Sequence, residues 1–254
     1  MTSYDPVIAL TRGLEVLKSL NELGPASVGE LHQATSIAKP TIVRMLETLV
    51  HAGYVHFLPQ ERQYQVTARV LLLSNGYELQ HQLIRLARPV LNDYRQRVGW
   101  PIELGVFDQD AMVILDTSRD ADTFSVVRKA GSRLPVLSSA LGRAYLSALP
   151  DEALRQTIDQ LIVSQKKEDG STYKRAEIVQ VINNAKALGY GCADRTLASN
   201  ACAIAAVIRM NGKPIGSVNI ASHVAELPLE SLKKKHGHTV QVLAEDISTA
   251  LRTT

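Results

Sequence analysis

Cysteine is scarce in this chain: Cys192 and Cys202 are the only two among 254 residues. They give neither a disulfide framework nor zinc-site spacing, and they read as reduced, half-buried thiols among small and apolar neighbours. Long apolar runs are also missing. No stretch approaches the roughly 20 residues a helix needs to cross a bilayer. The N-terminal MTSYDPVIALTRG has no basic region followed by an apolar one, so no secretory signal is expected and the protein reads as cytoplasmic. Charge of one sign is thin. The net charge is +3, and residues 1–82 hold six Lys/Arg against seven Asp/Glu. This excludes a strongly electrostatic nucleic-acid binder; affinity for DNA would have to come from local placement of charge. There is no G-x-S-x-G elbow, Walker loop, G-x-G-x-x-G or H-E-x-x-H. Glu103, Asp108, Asp110 and Asp116 have no acid–base spacing and read as turn or edge residues. Lys233 to His238, KKKHGH, reads as a solvated basic helix face rather than a metal site. No catalytic residue, cofactor or metal is expected.

What is present is a 45% hydrophobic chain, enough for one large domain or two smaller ones. In IALTRGLEVLKSLNEL, Ile8, Leu10, Leu14, Leu17 and Leu20 recur at helical spacing, and Gly24-Pro25 ends the pattern. Ser27 then caps VGELHQAT, with Glu30 completing a capping box. A third helix starts near Pro40 and closes at Gly53. YVHFLP and RQYQVT follow as two strands around Pro59-Gln60-Glu61. Helix, helix, helix, ribbon is the order of a winged helix-turn-helix, placed at residues 1–66. Residues 67–86 read as one linker and dimerisation helix, with Gly76 as an interruption. Residues 87–254 read as mixed α/β. The strands are PIELGVF, AMVILDT and FSVVRKA, and a hairpin pairs ACAIAAVIRM with KPIGSVNIAS around Asn211-Gly212. The intervening helices start at LSSALGRAYLSALP, DEALRQTIDQLIVSQ and KRAEIVQVINNAKALGY, and a last helix closes the chain. The fold class is therefore α+β.

On the third helix, Ile42, Val43, Leu46, Leu49 and Val50 are expected to pack inward. Thr41, Arg44, Thr48 and His51 take another face, with Lys39 at the tip. The start of such a helix reaches base edges in a helix-turn-helix. Arginine bonds guanine bidentately, and the exposed N–H groups of a helix start favour a phosphate. Arg62 and Gln63 stand near the wing tip. The expected DNA-facing set is Ser27, Lys39, Pro40, Thr41, Arg44, Thr48, Arg62 and Gln63. In the second part, Ser138, Ser139 and Ala140 begin a helix whose free N–H groups can hold a carboxylate.

ALTRGLEVLKSL, SVGELHQATSIAKPTIVRMLETLVHAGYV and YQVTARVLLL resemble the IclR family of bacterial transcriptional regulators. The likeness extends along the chain, because AGSRLPVLSSALGRAYLSALP is similar to the family's signature at Gly131, Arg133, Pro135, Ser139, Ala140, Gly142, Arg143 and Ala144. The resemblance implies a winged helix-turn-helix, a linker helix and a GAF-like effector-binding domain. It implies effector residues at Leu137, Ser138, Ser139, Ala140, Leu141, Asp194, Cys202, Ala203, Asn219 and Ala221. It also implies a homodimer or tetramer on a pseudo-palindromic double-stranded operator, and a small carboxylate effector, with an aromatic acid as the guess. Arg128 or Arg133 would steer that anion. Several positions depart from the pattern. Pro40 replaces a usual serine, Val43 stands where His or Tyr is common, and Leu137 stands where His is frequent. Arg195, Thr196 and Asn200 also differ. Two alternatives remain: an enzyme of small-molecule chemistry carrying an accessory winged helix, and a winged-helix module that binds only proteins.

Overall fold

The computed structural model describes residues 4–74, 76, 78–119, 128–165, 172–196 and 200–252. The chain divides into two compact units, 1–78 and 79–254.

In the first unit, α1 (Ile8–Leu23), α2 (Val28–Thr35) and α3 (Lys39–His51) precede the ribbon of β1 (Val55–Leu58) and β2 (Gln63–Val66). Their shared core is Val16, Leu17, Leu20, Leu31, Ile37, Ile42, Leu46 and Val55. Ser27 caps α2 reciprocally: its hydroxyl accepts the Glu30 N–H, and its own N–H donates to the Glu30 carboxylate at 2.7 Å. Ser36 ends α2 in the left-handed region at φ 58°. Around it, Thr35 Oγ1 donates to the Leu31 carbonyl at 2.7 Å and accepts the Ile37 N–H at 3.2 Å. These bonds hold the turn that presents α3. Ala26 and Tyr64 exchange backbone hydrogen bonds at 3.0 and 2.8 Å, which ties the wing back to the start of α2.

Three expectations need correction here. Val16, Leu17 and Leu20 form the buried stripe of α1, whereas Ile8, Leu10 and Leu14 are exposed. The helix carries two apolar faces, and spacing alone does not say which one the unit covers. Val50 is exposed on α3 rather than packed inward, because its position falls beyond the arc covered by α1 and α2. The linker is not one helix: a 3-10 turn, Ala68–Ser74, ends before α4 (Glu78–Val98) begins. Gly76 lies between them, where a residue lacking Cβ disfavours a continuous helix. α4 then runs well past residue 86, through Pro89.

In the second unit a six-stranded antiparallel sheet has the order β5-β4-β3-β8-β7-β6. These strands are β3 (Ile102–Asp108), β4 (Ala111–Thr117), β5 (Arg133–Pro135), β6 (Gly191–Thr196), β7 (Ala201–Met210) and β8 (Lys213–His223). The strand expected at FSVVRKA falls largely outside the described residues; Arg128 to Ala130 are not strand. One face of the sheet is rich in branched residues, including Ile102, Leu104, Ile204, Val218 and Ile220. It packs on α4 and on α8 (Leu229–Arg252). The other face lies under α5 (Ala140–Ser147), which leads on to α6 (Asp151–Ser164) and α7 (Arg175–Leu188). There the strands offer Gly105, Ala193, Ala203, Ala205 and Ala221. Two-residue alternation thus puts small residues of β6, β7 and β8 on this face, beside the larger Met112 and Ile114 of β4. KKKHGH is not wholly solvated: His236 and Gly237 are buried on the inner side of α8.

Candidate DNA-binding surface and effector site

α3 begins without a side-chain cap, at Ala38, with Pro40 in its first turn. Lys39, Pro40, Arg44 and Thr48 are exposed and Thr41 is half-buried. The expected cations therefore do stand in solvent at the start of α3. Thr48 donates its hydroxyl to the Arg44 carbonyl at 2.8 Å, which leaves its methyl group and a lone pair outward. Glu47, absent from the expected set, is exposed between them. Arg44 and Thr48 also border a groove of about 400 Å³, whose far wall is Leu10, Gly13 and Leu14 of α1. Arg62 occupies the wing tip at φ 54°, and Gln63 opens β2. Ser27 behaves differently from the rest of the set. Its hydroxyl and N–H are both engaged with Glu30, so its work is to fix α2. Arg69 is held over the Tyr54 ring, 5.4 Å from the centroid.

In the second unit Ser139 caps α5 by accepting the Gly142 N–H at 3.1 Å. The N–H groups of Ala140 and Leu141 head the same turn, where the helix dipole favours an anion. Two glycines let α5 approach its neighbours. A Cβ on Gly191 would stand 2.5 Å from the Ala140 carbonyl oxygen, and one on Gly142 would overlap the Val136 backbone. Leu141 rests on Gly105, and Leu137 lies buried just ahead of the helix. Gln165 braces that approach: its Oε1 accepts the Leu137 N–H at 3.1 Å, and its Nε2 donates to the Asp110 carbonyl.

Ala203, Asn219 and Ala221 share the face under α5. Cys202 does not. It points into the opposite core, against Ser222 at 3.1 Å and the Leu227 carbonyl at 3.4 Å. Asp194 follows Ala193 on β6, is exposed, and alternates away from the small-residue face. Adjacent strand residues cannot both line one face, which is why the Cys202–Ala203 pair separates. Burial pushes both cysteine thiols above their ordinary pKa, so neither is a ready nucleophile.

Glu103, expected at a turn or edge, is instead fully buried in the middle of the sheet. Its carboxylate takes Arg128 Nη1 at 2.8 Å, Arg119 Nε at 3.4 Å and the Asn219 side-chain N–H at 2.8 Å. The Asn219 carbonyl oxygen accepts the Glu103 backbone N–H at 3.0 Å. Asn219 is thus held in place by two bonds to one residue. Burial lowers Arg119 to about 10, with Glu103 opposing that shift. Arg133 lies apart from this network, bridging Asp108 and Asp110 at 2.7 and 2.8 Å near the surface. Among the described residues no cluster of His, Cys, Asp or Glu forms a metal site, and no helix is long and apolar enough to cross a membrane.

The family model described as the IclR helix-turn-helix domain matches residues 9–59, and that of the bacterial transcriptional regulator IclR C-terminal region matches 77–249. The chain belongs to the IclR family of bacterial transcriptional regulators. Its IclR-type relatives include the HTH-type transcriptional regulator TsaQ1/TsaQ2 of Comamonas testosteroni, 27% identical over 97% of this chain and 89% of the relative. The Pca regulon regulatory protein of Pseudomonas putida is 23% identical over 91% and 79%. A solved structure from Rhodococcus sp. RHA1 is 28% identical, covers 97% and 98% of the two chains, and superposes with TM-score 0.71. An IclR homolog from Microbacterium hydrocarbonoxydans, solved with 4-hydroxybenzoate, has the same fold with TM-score 0.75 at 20% identity, over 97% and 100% of the two chains. The Comamonas, Pseudomonas and Rhodococcus proteins are named as regulators or regulatory proteins. The protein is an IclR-type transcriptional regulator with a DNA-binding helix-turn-helix and a C-terminal effector domain.

Proposed function

We propose that this IclR-type regulator binds a pseudo-palindromic operator as a homodimer or a pair of dimers, and that a small carboxylate held beneath α5 sets its operator affinity. The observation that carries the effector reading is the capped N-terminus of α5 laid on a face of alanines. Ala140 and Leu141 offer N–H groups to a carboxylate, and Ala203 and Ala221 present only methyl groups on the facing strands. The complex of the Microbacterium homolog with 4-hydroxybenzoate supports an aromatic acid as the ligand class. On the DNA side, Lys39, Thr41 and Arg44 meet the major groove and Arg62 the backbone; two copies would double a modest local charge. Cytoplasmic residence accords with this role.

The test is a thermal-shift screen of small carboxylates on the full-length protein, followed by gel shifts on its flanking promoter DNA with and without each hit. A hit should raise the melting temperature and change the DNA-bound fraction. Stabilisation by none of the carboxylates would remove the effector reading. A protein that retards no promoter fragment would point to a module that binds only proteins.

A further inference from the structure

A second cavity, of about 180 Å³, lies between α5 and α7. Leu146, Val181 and Ile182 give it apolar walls, and Arg143, Tyr173 and Glu177 are its polar side chains. No strand of the sheet lines it, and of the expected effector residues only Leu137 borders it. Arg143 is its distinctive feature. Nε of Arg143 donates to the Leu137 carbonyl at 3.0 Å and Nη1 to the Cys192 carbonyl at 2.5 Å. Both acceptors are neutral. Other arginines of this unit have carboxylates: Arg119 and Arg128 share Glu103, and Arg133 has Asp108 and Asp110. Among the described residues no carboxylate pairs with Arg143. A guanidinium has five N–H donors, and these two contacts leave donors over. Burial lowers the Arg143 pKa, with Tyr173 and Cys192 opposing the shift.

We propose that this cavity is a second ligand site, which takes a small apolar monocarboxylate whose anionic end pairs with Arg143. Its volume exceeds the roughly 150 Å³ of an apolar cavity that holds benzene, and its aliphatic walls suit a hydrocarbon body better than phosphate or sulfate. Because the same guanidinium holds the Leu137 carbonyl, occupancy acts on the segment that leads into α5.

Isothermal titration calorimetry of the full-length protein with benzoate, and with neutral benzamide, tests this. Benzoate should bind at least tenfold more tightly than benzamide. Val181→Phe fills the cavity from α7 and should weaken benzoate at least tenfold with the melting temperature unchanged. Glu177→Gln keeps the helix start but removes a like charge from the rim, so it should tighten benzoate about twofold to fivefold. Ala221→Leu, at a position outside the cavity's lining, should leave this binding in place while its melting temperature holds. If benzoate fills both sites, Val181→Phe should remove one phase of the isotherm and Ala221→Leu the other. The proposal fails if the wild-type protein gives no benzoate heat, if benzamide binds equally well, or if Val181→Phe binds as the wild type does. Loss of all binding in Ala221→Leu alone would also overturn it, while leaving the effector reading of the α5 face standing.

Discussion

Glu103 shows how much one residue can organise. It stands between two arginines and Asn219 in the centre of the sheet with no exposure to solvent. Removing one partner of such a buried network typically costs about 3–5 kcal/mol, because the others stay buried and unneutralised. Glu103→Ala should therefore lower the melting temperature by roughly 10 °C, measured by differential scanning calorimetry; a change within about 2 °C would mean that water reaches the network. At the start of α3, Arg44→Ala should weaken operator binding at least tenfold in a gel shift while the melting temperature holds. Unchanged binding would move the recognition face elsewhere. The exposed place of Arg44 on α3 was legible because its helix is local and periodic. Glu103 was not. A lone carboxylate in PIELGVF suggests a surface position, and its partners Arg119, Arg128 and Asn219 lie far along the chain. Only strand pairing brings them together. Cys202 was misplaced for a related reason: spacing shows that a strand alternates, but which residue faces which layer is settled by the partners on each side.

Among elements, α5 depends most on its contacts. Gly191 and Gly142 let its backbone touch β6 and the segment before it. Gly191→Ala would place a methyl group into the Ala140 carbonyl. It should destabilise the second unit by about 1–3 kcal/mol and reduce the thermal shift given by an α5-face ligand. A full-strength thermal shift with an unaltered melting temperature would show that α5 has room to move. α2 and the wing were readable from short-range signals, a capping box and an alternating ribbon. The linker was not, since its apolar residues continue across the break at Gly76 and only the folded chain separates the 3-10 turn from α4. α8 gives a pH prediction. His236 is buried, and burial holds its pKa below 6.5, with Lys235 adding to the effect. The folded state then resists protonation that the unfolded state accepts. His236 contributes stability above pH 6.5 that is lost as pH falls below that value through the lower folded one. The fall in melting temperature between pH 7 and pH 5.5 should be smaller in His236→Gln than in the wild type. An equal fall in both would show that other groups carry the slope.

For the whole molecule, the proposed function has ligand binding in one unit change DNA affinity in the other, and linkage makes such an effect reciprocal. Saturating operator should alter the measured affinity for a carboxylate hit by the same factor by which the hit alters operator affinity. Titration of the hit in the presence and absence of operator checks this; an affinity that operator leaves unchanged would mean that the hit does not set operator binding. The two-unit layout was readable from the change in pattern along the chain, and the buried network around Glu103 was not. The small-residue face has a further consequence. Ala203 and Ala221 belong to the core beneath α5 and not to the one that packs on α4 and α8, so a carbon added at either is felt by α5 first. If the proposed effector site is right, single substitutions there would change which acids fit while the opposite half of the unit stays as it is.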